Sequence, residues 1–101
     1  MKKSSASHDQ AMIERLRSNP DFAVEYLKAA LEQAEEPQVL LIALRRVAEA
    51  CGGLAKIAEA SGIQRESLYR ALSSKGNPRL STLVAVTKAM GLSLTVQSAR
   101  P

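Results

Sequence analysis

The chain has 101 residues, 46 % of them hydrophobic and only 3 % aromatic, with a formal net charge of +4. That length holds one domain, and the hydrophobic share excludes a disordered chain while leaving the core to Leu, Ile, Val and Ala, which suit closely packed helices. The single cysteine, Cys51, excludes an internal disulfide and fits a reducing compartment, and no apolar run approaches the ~18 residues of a membrane span. No hydrophobic region follows the basic start Met1-Lys2-Lys3, so the protein is expected to be cytoplasmic, without a signal peptide or a membrane partner.

Residues 1–10 are polar and small and are expected as a flexible tail. From Ala11 to Ser18, Met12, Ile13 and Leu16 share one side, enough for two helical turns. Asn19-Pro20-Asp21 is a helix start: a capping side chain, a proline in the first turn, and an acid near the positive end of the helix dipole. The helix that follows carries Phe22, Ala23, Tyr26, Leu27, Ala30, Leu31 and Ala34 as an apolar stripe. Residues 11–36 thus read as an N-terminal helical extension.

Pro37 begins a helix to about Ala50 that is expected to bury Leu40, Leu44, Val47, Ala48 and Cys51, and Gly52-Gly53 stops it. A short helix from Leu54 to Ser61 ends at Gly62, and another runs from about Gln64 to Ser74. After the loop Lys75-Gly76-Asn77-Pro78-Arg79, Ser81 is expected to cap a helix ending near Met90-Gly91. Leu92-Ser93-Leu94-Thr95-Val96-Gln97 alternates apolar and polar residues with period two, the one strand signal in the chain. The expected fold is all-α, a bundle of five to six helices with a short C-terminal β-strand, and residues 37–97 form its main domain.

The stretch from Leu54 to Leu72 carries the functional signal. Ala58 precedes Gly62 by four residues, Ile63 follows at once, and Leu68, Ala71 and Leu72 come next. Two short helices crossing steeply through a tight turn need this spacing. Ala58 must be small where the second helix passes, Gly62 suits a left-handed helix end, and Ile57, Ile63, Leu68 and Leu72 fill the angle. This is the helix-turn-helix pattern, whose second helix enters the major groove of DNA.

At 100° per residue the apolar side of that second helix leaves Glu66, Tyr69, Arg70 and Ser73 opposite, with Arg65 and Ser67 on the flanks. Arg65 and Arg70 can grip guanine O6 and N7, Gln64 at the helix start can reach adenine, and Ser67 can bond base or phosphate. Tyr69 offers a face for a thymine methyl or a hydroxyl for a phosphate. Glu66 can accept from cytosine, although a pairing with Arg70 four residues on is the favoured reading. Lys56, Lys75, Asn77 and Arg79 lie on either side in sequence and are expected on the phosphate backbone.

Charge along the chain agrees. Residues 1–36 hold five Lys/Arg against seven Asp/Glu, and residues 37–101 hold nine against three. A polyanion-binding surface therefore belongs to the later part. One helix-turn-helix spans only a few base pairs, so a homodimer reading two half-sites is expected. Leu92, Leu94 and Val96 of the terminal strand are the candidate contacts, pairing across a two-fold axis.

The span from Pro37 to Gln97 resembles the Xre/lambda-repressor-like helix-turn-helix domain. More narrowly, Asn19-Pro20-Asp21-Phe22-Ala23, Tyr26-Leu27, Ala43-Leu44-Arg45, Val47-Ala48-Glu49-Ala50, Gly52-Gly53, Arg65 to Ser73 and Gly76-Asn77-Pro78 are similar to the addiction-module antidote family. The resemblance covers about four-fifths of the chain. It implies a HigA-like antitoxin that represses the promoter of its own toxin–antitoxin module at double-stranded operator DNA and neutralises a small basic toxin of the RelE/ParE-like kind. The DNA-facing residues it carries over are Gln64, Arg65, Ser67, Tyr69 and Arg70. It offers no toxin-binding residues, and the acidic excess of residues 1–36 is the feature that suits a basic partner.

Two other readings keep the fold: a stand-alone Xre-type repressor without a toxin, and a protein-binding adaptor that has lost DNA binding. Catalysis is not expected. The single histidine, His8, lies near the N-terminus, Cys51 has no histidine beside it in sequence, and no phosphate loop or metal-ligand spacing occurs. No cofactor and no metal are expected.

Overall fold

In the computed structural model, residues 2–33 and 35–99 are described, with side chains from His8 onward. Six helices follow in order: α1 Lys2–Ser18, α2 Pro20–Leu31, α3 Pro37–Ala50, α4 Leu54–Ser61, α5 Arg65–Ala71 and α6 Leu80–Ala89. The all-α class expected from the composition is what the molecule adopts.

The start of α2 follows from its three residues. The Asn19 side chain accepts a hydrogen bond from the Phe22 amide at 3.1 Å, satisfying one of the four amides left unpaired at a helix start. Pro20 supplies the fixed φ of the first turn, and Asp21 faces the positive end of the dipole. Ala23, Leu27 and Ala30 are buried, whereas Leu31 at the end of the stripe stays exposed. Ala34, expected on the same stripe, lies outside the described residues.

α3 is the centre of the molecule. It packs against α1, α2 and α4, while α4 also packs against α5 and α6. Its buried residues are Leu41, Ala43, Leu44, Val47 and Ala48. Leu40 and Cys51, expected in the core, are only half-buried at its edge. Leu16, Ala23, Leu27 and Ala30 from the first two helices join Leu68, Leu72 and Val86 from the last two in one continuous core. The N-terminal helices are therefore packed on the rest.

Three features differ from expectation. The segment 2–10, read as a tail, continues α1, and Asp9 is anchored by an ion pair to Arg46 at 2.7 Å. α6 begins at Leu80, with Arg79 at the cap position and no side-chain cap, so Ser81 lies inside the first turn. Its buried Thr87 is satisfied locally, donating to the Leu83 and Val84 carbonyls at 2.9 and 3.0 Å.

The third difference is the C-terminal strand, which is not formed: no strand occurs among the described residues, and 92–99 run in irregular conformation. A strand needs a neighbour to complete its backbone hydrogen bonds, and an otherwise helical chain offers none. Its first amide is also already used. The Leu92 N–H donates to the Thr87 carbonyl at 2.8 Å, and Gly91, at φ +80°, bonds back to Lys88, which together close the end of α6.

Candidate nucleic-acid interface

The turn between α4 and α5 is built as the spacing requires. Gly62 sits at φ +77°, a left-handed conformation that a side chain would strain. The next amide, of Ile63, donates back to the Ala58 carbonyl at 3.1 Å and closes α4. Ile57, Ala58, Leu68 and Leu72 are buried in the angle between the helices, and Ile63 packs at its edge.

With Leu68 fully buried as the anchor of α5, the remaining side chains of its first two turns are turned outward. Arg65, Glu66, Ser67, Tyr69 and Arg70 are all exposed, and Gln64 is exposed at the cap position. The helix is shorter than expected and stops at Ala71. The loop returns so closely that a Cβ on Gly76 would fall 2.0 Å from the Ala71 carbonyl oxygen. Lys75, Asn77 and Arg79 lie exposed in this return loop. Lys56, in the first turn of α4, folds its stem over Gly52 and turns toward the α3–α4 junction.

Two local pairings fall out differently from the sequence reading. Glu66 and Arg70 form no ion pair, so both side chains are free for other partners. Ser73, placed on the outward face by the helical wheel, instead donates its hydroxyl to the Arg70 carbonyl at 2.8 Å.

The basic residues are sorted by what they touch. Among the described side chains before Val47, every cation is engaged within the molecule. Arg15 stacks 4.0 Å above the Phe22 ring, Arg17 pairs with Glu14 and Lys28 with Glu25. Arg45 donates from Nη1 to the Leu72 carbonyl, while Arg46 reaches the Tyr26 hydroxyl at 3.1 Å and Asp9 at 2.7 Å. From Lys56 onward no described Lys or Arg has an ion pair or a hydrogen-bonded partner through its side chain. Those free cations are Lys56, Arg65, Arg70, Lys75, Arg79 and Lys88, and all but Lys88 lie on α4, α5 and the return loop.

Sequence reasoning missed Arg45. An Arg-Arg pair in a basic region looks like surface charge, and the available signal was its place between Leu44 and Val47 on the apolar side of α3. Of the residues expected at a dimer contact, Leu92 is half-buried against the core, Leu94 is partly exposed, and Val96 is almost wholly exposed.

The model of a family described as "Probable addiction module antidote protein" matches residues 7–98. A protein of Haemophilus influenzae (strain ATCC 51907 / DSM 11121 / KW20 / Rd), described as uncharacterized, is 37 % identical over 92 residues, covering 91 % of this chain and 92 % of its own. No solved structure matches the chain significantly. A match that runs from within α1 through the terminal segment takes in the whole core and the α4–α5 turn together, and on it the chain belongs to the addiction-module antidote family.

Proposed function

We propose that this antidote acts at DNA as well as on a toxin. It binds its operator through α5, represses the promoter of its own module, and neutralises a small basic toxin of the RelE/ParE-like kind. The observation that carries the DNA reading is the sorting of the cations. Side chains that a structural role would engage are engaged, and those around α5 are exposed without partners, as a phosphate-facing surface requires.

In this reading Arg65, Arg70, Gln64, Ser67 and Tyr69 meet base edges from the major groove. Lys75, Asn77 and Arg79 hold the backbone on one side and Lys56 on the other. Residues 37–97 form the DNA-binding part, and residues 11–36, with their acidic excess, face the toxin. The protein works as a homodimer over two half-sites in the cytoplasm, without catalysis. Among the described residues no helix is long and apolar enough to cross a membrane.

The test is fluorescence anisotropy with duplex DNA from immediately upstream of the gene, a scrambled duplex, two salt concentrations, and the Arg65→Ala/Arg70→Ala double variant. Tight binding to the native duplex that weakens steeply with salt and is lost in the variant is expected. Equal, weak binding to both duplexes would instead favour the adaptor reading. A specific repressor that no product of a neighbouring gene binds would favour the stand-alone one.

A further inference from the structure

From Leu54 to Arg79 the chain carries five cations, Lys56, Arg65, Arg70, Lys75 and Arg79, and two acids, Glu59 on α4 and Glu66 on α5. Glu66 is the acid that stands among the side chains proposed to meet DNA. It is exposed in the first turn of α5, between Arg65 and Ser67. Its carboxylate has neither an ion pair nor a hydrogen-bond donor among the described residues.

Its place on the helix is central. Leu68, fully buried, anchors α5 on the core. At about 100° per residue, Glu66 and Arg70 each lie about 160° around the helix from Leu68 and about 40° from each other. They form one ridge, the part of α5 farthest from the anchor. A helix laid in the major groove presents that ridge to the base edges.

Two ordinary explanations for an acid there fall short. A pair with Arg70 one turn on has the favourable order, acid before base, yet it is not formed. The acid also meets the positive end of the helix dipole. A carboxylate at any position of the first turn does the same, so the dipole does not account for its place on the outermost ridge.

An acid on a phosphate-facing surface repels the duplex unless a donor receives it. In the major groove the donors are the amino groups of cytosine N4 and adenine N6. The adenine amino group stands between two acceptors, its own N7 and the O4 of the paired thymine. The cytosine amino group has one acceptor beside it, guanine O6, and a C–H on its other side. Cytosine therefore receives a carboxylate better.

We infer that Glu66 is a specificity-determining residue of α5, accepting a hydrogen bond from the N4 amino group of one cytosine in the operator. The inference rests on the DNA reading above, in which Glu66 has no role. Its effect is opposite in sign to that of the arginines. They draw in any duplex, and Glu66 weakens binding to each one that lacks a cytosine at its position.

Fluorescence anisotropy on the full chain tests it. The probes are the duplex from immediately upstream of the gene, a scrambled duplex, and a set in which each base pair of the upstream duplex is replaced in turn. The parent is expected to bind about tenfold more weakly when one particular C·G pair is replaced. In Glu66→Ala that pair is expected to lose its influence while the other positions keep theirs, and the scrambled duplex is expected to bind several-fold tighter. Glu59→Ala removes the same charge from α4 and is expected to keep the parent's selectivity at that pair. Both residues are exposed, so helicity by circular dichroism is expected to be unchanged. A Glu66→Ala variant with the parent's profile, or with every position relaxed together, would overturn the assignment and leave the DNA reading standing. So would a Glu59→Ala variant that loses the same pair. A parent that binds the upstream and scrambled duplexes alike would overturn the DNA reading, and the assignment with it.

Discussion

Arg45, in the middle of α3, donates a hydrogen bond from its guanidinium to the carbonyl of Leu72, the residue that caps the far end of α5. The helix proposed to read bases is thereby fixed at its last turn by a half-buried side chain of α3. The last carbonyls of a helix lack partners within it, and a cation there also meets the negative end of the dipole. Arg45→Met keeps the aliphatic stem and removes the donor. A loss of about 1–2 kcal/mol in chemical denaturation is expected, the range for a charge-assisted hydrogen bond whose acceptor is left unpaired. Unchanged stability would show that the contact contributes nothing.

Gly76 makes a second, purely steric prediction. Its φ is not positive, so the constraint is the Ala71 carbonyl oxygen 2.0 Å from where a Cβ would stand. Because the obstacle is backbone, it cannot rotate away. Gly76→Ala is expected to cost about 1–3 kcal/mol in a thermal or urea melt, as overpacking does. Ser74→Ala, exposed two residues earlier, serves as the control and is expected within about 0.5 kcal/mol of the parent.

Arg46 joins three helices, through the hydroxyl of Tyr26 on α2 and the carboxylate of Asp9 on α1. The Tyr26 hydrogen bond is the largest influence and holds its guanidinium more basic than usual; burial opposes it, and the electrostatic pull of Tyr26 and then Asp9 adds to the rise. A raised pKa in a base stabilises the fold fully below the unfolded value and fades only as pH climbs through the folded one. Both values lie in strongly alkaline solution, so this contribution is constant from mildly acidic to mildly basic pH. Tyr26→Phe is expected to cost about 1 kcal/mol at every pH in that window. Asp9→Asn, at a half-exposed carboxylate, is expected to cost about 0.5 kcal/mol, and less in high salt.

Burial pushes the Cys51 thiol up, and nearby Lys56 partly offsets the shift. The thiolate is the reactive form, so Cys51 is expected to react with a disulfide reagent several-fold more slowly than a free thiol at neutral pH, and faster as pH rises. Lys56→Gln removes the opposing charge and is expected to slow the reaction further. The sign for stability also follows. The unfolded thiol ionises first, so any contribution from Cys51 is complete below the ordinary thiol pKa and is lost as pH rises past it.

Much of this architecture was legible before any coordinates. The Asn19-Pro20-Asp21 start and the Ala58, Gly62, Leu68, Leu72 spacing are local signals, and each appears where local chemistry put it. Several of the missed parts depend on partners distant in sequence, or on the lack of one, and others on close local approaches. A period-two pattern at 92–97 marks residues able to form a strand, yet without a neighbouring strand the segment stays irregular. The early start of α1 has no apolar periodicity to announce it. α5 ends early where the return loop brings Gly76 against the Ala71 carbonyl, a close approach five residues on that no periodicity announces. For the candidate interface, the outward placement of Arg65, Ser67, Tyr69 and Arg70 followed from the wheel. The inward turn of Arg45 and Arg46 did not, since a guanidinium spells the same in either direction.

The sorting of the cations has a consequence for approach as well as for grip. With Arg17, Lys28 and Arg46 paired to carboxylates and the cations from Lys56 onward bare, the molecule's positive charge is weighted toward α5 and its flanking segments. Acidic Asp21 in the first turn of α2 and Glu32 at its C-terminal cap have no ion pair. Such a body is turned by a polyanion before it touches, so a larger fraction of collisions begins with the correct end forward. In the proposed DNA reading, the charge pattern thus acts on how fast the duplex is found, a kinetic property set by side chains that need never contact a base.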